Sequence, residues 1–89
     1  MFQGHIDLDT AIPVDATAIP DLLFQRGLYW SSGRSGVVNL VAAHKWFNLA
    51  AVRGVEAAKS WRNQLAAEMT TGQIAEAQKL AREWLNIFK

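Results

Sequence analysis

The chain has 89 residues, enough for one domain at most, and half of them (51%) are apolar while 19% are charged, the composition of a folded globular chain rather than a disordered one. A formal net charge of +1 argues against a nucleic-acid partner, which demands a strongly basic surface. The absence of cysteine excludes disulfides and thiol chemistry, and no apolar run approaches the roughly 20 residues of a membrane span.

Residues 1–18 show no helical period and read as an irregular or extended arm, interrupted by Pro13 and bounded by Pro20, with residues 19–89 as the helical domain. Ile6 and Leu8 alternate with Asp7 and Asp9, a strand-like beat, but no second strand pattern exists to pair with it. "MFQGHIDLDT" lacks the basic start and apolar stretch of a secretory leader; if Met1 is the native start, the expected location is the cytoplasm. The first 25 residues carry Asp7, Asp9, Asp15 and Asp21 and no Lys or Arg, whereas residues 43–62 carry Lys45, Arg53, Lys59 and Arg62 against Glu56. Two solvated surfaces explain this asymmetry. The alternative is an acidic arm lying across a basic helix of the same or another chain.

The first helix is expected to begin near Pro20, which suits a first turn because its missing N–H costs nothing there. Asp21 favours the positive helix end. Leu23, Gly27 and Trp30 line one side, widened by Leu22 and Phe24. "SSGRSG" at 31–36 ends it as a Gly/Ser turn. Asn39 is a good N-cap for the second helix. Leu40, Ala43, Phe47, Ala50 and Ala51 form its stripe and Trp46 and Leu49 a second apolar face, so this helix is expected to be sandwiched. Arg53 and Gly54 close it. The third helix is expected from about Val55 to Met69, with Ala58, Trp61, Leu65 and Met69 on one face. In "MTTGQI", Thr70 and Gln73 form a capping box, and Met69 can staple onto Ile74. The fourth helix places Ile74, Ala77, Ala81, Trp84, Leu85 and Phe88 on one face and Glu76, Lys79, Arg82 and Glu83 on the other. The expectation is an all-α fold, a short helical-hairpin (α/α solenoid) stack of about four helices.

Residues 27–54, "GLYWSSGRSGVVNLVAAHKWFNLAAVRG", resemble the Sel-one-like repeat family, a branch of the tetratricopeptide-like solenoids. Gly27, Trp30, Gly33, Asn39, Ala43, Trp46, Phe47, Ala50, Ala51 and Gly54 occupy the family's repeat positions. "MTTGQIAEAQKLAREW" is similar to the closing helix of small bacterial members, so the resemblance spans about residues 21–85. Arg26 departs from it, standing where leucine is usual, as do Ser35, where glycine is usual, and Trp61. One full repeat with fragments leaves an open face that wants a neighbour. The resemblance implies an adaptor or scaffold in bacterial signalling, envelope or secretion pathways, binding a protein or peptide without catalysis. The alternative is a self-assembling structural protein whose open face pairs with a second copy.

Nothing in the sequence points to an enzyme, a cofactor or a metal. His44 beside Lys45 and His5 in the arm are lone histidines, and no His, Cys or acidic cluster has metal-ligand spacing. "GRSG" is too short for a phosphate loop and lacks its lysine, although Arg34 leaves room for an anion at the start of the second helix. Trp30, Trp46 and Trp84 are expected in the core. Trp61 belongs either to the core or to a partner surface, where tryptophan dominates binding energy. The residues singled out for partner contact are Trp61, Arg34, Arg26 and His44.

Overall fold

The computed structural model describes residues 20–34 and 36–87; the arm, Ser35 and Phe88, with the expectations attached to them, lie outside these. Four helices follow in order: α1 (Pro20–Ser32), α2 (Leu40–Val52), α3 (Glu56–Ala66) and α4 (Thr71–Ile87). Among the described residues there is no strand, so the fold is the expected all-α one.

Each boundary has a local chemical cause. Pro20 opens α1, and Asp21 sits in its first turn, where the helix dipole favours an anion. The Asn39 side chain accepts a hydrogen bond from the Ala42 N–H at 3.0 Å, capping α2. Its own N–H donates to the Trp30 carbonyl at 3.0 Å, which satisfies one orphan acceptor at the end of α1 and closes the turn. At the far end of α2, Gly54 takes φ +100°. That left-handed residue lets the Gly54 N–H reach the Ala51 carbonyl and the Val55 N–H the Ala50 carbonyl, both at 3.0 Å, a two-bond glycine cap.

The third helix ends three residues before the expected Met69. Glu68 N–H donates to Leu65 O at 2.9 Å and Met69 N–H to Ala66 O at 3.1 Å, so the chain tightens into three-residue turns there. The capping box immediately follows. Thr70 N–H donates to Gln73 Oε1 at 2.9 Å, and Gln73 N–H donates to Thr70 Oγ1 at 3.1 Å. With both of these donors satisfied, α4 starts at Thr71 and the direction changes over the four-residue turn 67–70.

Helix α2 is the centre. It packs on α1, α3 and α4, and these three contact α2 far more than one another. It buries Ala42, Ala43, His44, Lys45, Trp46, Phe47, Leu49 and Ala50, which is the signature of a helix covered on several sides. The neighbours bury narrower stripes: Leu23 and Gly27 on α1, Ala58 and Leu65 on α3, and Ala77, Ala81 and Trp84 on α4. Successive neighbours run antiparallel, since Trp30 meets Asn39 while Gly27 meets Phe47, and Val55 meets Ala50 while Trp61 meets Phe47. Trp46, Phe47, Leu23 and Leu49 are the largest fully buried side chains. The Trp84 ring stands edge-on to Trp46 with centroids 5.6 Å apart, a favourable quadrupole arrangement.

Candidate functional site

Two features of the surface could engage another molecule. The first is aromatic. Phe47 of α2 is fully buried, and Trp61 of α3 lies against it at 5.9 Å between ring centroids. Phe24 of α1 meets Phe47 at 5.6 Å and Trp61 edge-on at 6.5 Å. Three helices thus each contribute a ring to one cluster, and its outer member, Trp61, is 43% exposed. The Trp61 indole is held on one side by the core and wet on the other. Nearby in sequence, the Arg62 Nη1 donates to Asn48 Oδ1 at 2.9 Å, a bond that ties α3 to α2 beside the cluster.

The second feature is basic. Leu22, Gln25, Arg26 and Tyr29 recur at three- and four-residue spacing along α1 and so share one stripe. With Arg34, from the turn after α1, they line an open depression of about 180 Å³. The Arg26 guanidinium carbon also approaches the Trp46 ring, 5.9 Å from its centroid, within cation–π range. Stepping about 100° per residue puts this stripe on the opposite flank of α1 from Phe24. The two features therefore face different ways.

Of the four residues singled out in sequence, Arg26 and Arg34 come together in the depression, and Trp61 stands apart at the aromatic cluster. His44 is elsewhere again, inside the molecule at 3% exposure. Its Nδ1 is buried and has no hydrogen-bond partner. Burial, with a smaller contribution from the nearby Arg62 charge, pushes its pKa below the ordinary histidine value because both disfavour the imidazolium form. A buried histidine in this position cannot reach a partner on the intact surface. Lys45 is also inside, at 7% exposure, with Nζ 4.2 Å from the Trp46 ring centroid. The excess of cations over residues 43–62 is consequently not one continuous basic face.

Sequence reasoning missed Phe24 as a backing residue for Trp61, and Asn48 as the partner of Arg62. Both depend on how helices approach one another, and neither has a local signal. Gln25 and Tyr29 had a signal: their spacing from Leu22 and Arg26 puts them on one helix face. Among the described residues no group of three or more His, Cys, Asp or Glu side chains could hold a metal ion, and no helix is long and apolar enough to cross a membrane.

Compared with models of protein families, with curated proteins and with solved structures, the chain matches none.

Proposed function

We infer that the chain is a small module that binds a protein or peptide without catalysis, an adaptor or scaffold of the Sel-one-like repeat type. The observation that carries this reading is the state of Trp61: a large aromatic, 43% exposed, whose orientation is set by Phe24 and Phe47. Anchors of this kind dominate protein interfaces, and an indole already fixed in place loses little entropy on binding. The expected mode is a helix or extended segment of the partner laid along the helices, with an apolar side chain over Trp61. A cytoplasmic location belongs to the same reading.

A second reading is supported by four further exposed aliphatic side chains, Val37, Val38, Val52 and Ile87. It makes the chain self-associating. Sedimentation of the pure full chain separates the two: a tight dimer favours self-assembly, a monomer favours a foreign partner. Trp61→Ala tests the shared premise. Loss of dimer, or of a protein captured from native extract, with the helical fold retained supports a binding role for Trp61. Unchanged association with the indole removed refutes it.

A further inference from the structure

The depression on α1 has a chemistry that goes beyond a generic docking surface. Arg26 and Arg34 line it with guanidinium groups, which only donate hydrogen bonds, and Gln25 and Tyr29 add an amide and a phenol that can donate as well. Among the described residues, no hydrogen bond or ion pair engages the side chains of Gln25, Tyr29 or Arg34. Among the described residues that line the depression none is acidic. Leu22 supplies the apolar contact. The volume of about 180 Å³ falls below the roughly 300–1,000 Å³ of pockets that enclose cofactors or drug-sized ligands.

We propose that this depression is a carboxylate-binding site that takes an acidic side chain from a polypeptide partner. The proposal rests on the reading of the chain as a polypeptide-binding module and names the chemistry of what it binds. The Arg34 guanidinium matches a carboxylate in charge and in fork geometry, Arg26 adds positive charge beside it, and Leu22 packs against the aliphatic stem that carries the acid. A free anion has only the exposed charges to hold it, and such pairs are weak in water. A polypeptide running across α1 adds backbone and apolar contacts to the same ion pair. Nucleic acid is disfavoured, because the net charge is only +1 and a phosphate backbone requires a much larger basic surface.

The test is a nuclear magnetic resonance titration of the isotope-labelled full chain. Three probes are added in turn: a short capped peptide alternating glutamate with leucine, its glutamine counterpart, and inorganic phosphate. The glutamate peptide is expected to shift the signals of Gln25, Tyr29 and Arg34, including the Arg34 Nε–H, in a saturable way. Arg34→Gln, an exposed turn position, is expected to weaken that binding about two- to fivefold without altering the melt. Three results would overturn the proposal: equal shifts with the glutamine peptide, unchanged affinity in Arg34→Gln, or phosphate reproducing the shifts at the same concentration. Its failure is distinguishable from failure of the broader reading. A partner that Trp61→Ala releases and Arg34→Gln retains, with no glutamate-peptide shifts, refutes the carboxylate site and leaves the module a binding protein. Glutamate-peptide binding at Arg34 in a chain whose associations ignore Trp61→Ala supports the site and removes the tryptophan anchor.

Discussion

Gly27 of α1 packs directly against the ring of Phe47 on α2. A Cβ at Gly27 would stand only 2.5 Å from Phe47 Cε1 and 2.9 Å from Cγ, well inside the separation of about 3.5–4 Å at which nonbonded carbons pack. The ring cannot retreat, since Phe24 and Trp61 sit against it. Gly27→Ala would gain about 1 kcal/mol of helix propensity and lose about 2–3 kcal/mol to overpacking, the upper part of the usual range for so close an approach. The expected net effect is destabilisation of about 1–2 kcal/mol, or a melting temperature lower by roughly 10 °C for a domain this small. Thermal unfolding followed by circular dichroism checks this. An unchanged or raised midpoint would mean that α1 and α2 are further apart than described.

The tryptophans should separate by burial. Trp46 is fully buried against Trp84, so Trp46→Ala should cost about 3–5 kcal/mol. In a chain of this size that is a large share of the total stability, and the melting temperature should fall by about 15–30 °C. Trp61→Ala removes a half-exposed ring and should cost about 1–2 kcal/mol with helical content retained. Equal losses in the two variants would place Trp61 in the core and weaken its role as an anchor.

Stability should fall as the solution is made mildly acidic, and His44 is the cause. Its pKa in the folded chain lies below the unfolded value, which is about 6.5. In the window between the two, the unfolded chain binds a proton at this position and the folded chain does not. Stability is therefore full above about pH 6.5 and declines as pH drops through that value toward the folded pKa. Denaturant midpoints measured from about pH 7.5 to about pH 5 should show this slope, and His44→Leu should flatten it. A variant with the original slope would assign the effect to another group.

The two helix junctions carry separate, smaller predictions. Thr70→Ala deletes the side-chain acceptor for Gln73 N–H and should cost about 1 kcal/mol, while Thr70→Ser should restore most of it. Gly54→Ala places a Cβ on a residue with φ +100°, although the space around it is open. The penalty there is conformational, about 1 kcal/mol or more. If Gly54→Ala melts at the wild-type temperature, the turn between α2 and α3 does not need a left-handed residue.

Local chemistry made much of the fold legible. Pro20, Asn39, Gly54 and the Thr70–Gln73 pair each act within four residues of themselves, and all four mark helix ends where the sequence puts them. The two apolar faces of α2 are likewise written in its residue spacing, which is why its central position was readable. The early end of α3 was not, because Ala67, Glu68 and Met69 are all compatible with helix, and only the demand to cap α4 at Thr70 turns the chain there.

The candidate site is the part that tertiary structure decided. Sequence marked Trp61 as either core or surface. Its 43% exposure follows from how far α3 is rotated and from the arrival of Phe24 on α1, relationships between residues far apart in the chain. Arg26 and Arg34 carry the same charge in any conformation, but they share a depression only because α1 continues to Ser32 before the chain turns. His44 and Lys45 look like surface residues in isolation and are taken inside because α2 is surrounded by three neighbours. Hydrogen-bonding geometry and side-chain periodicity operate over a few residues, so sequence alone sets the helices and their ends. Exposure is a property of the packed whole, and it was fixed only when the helices met.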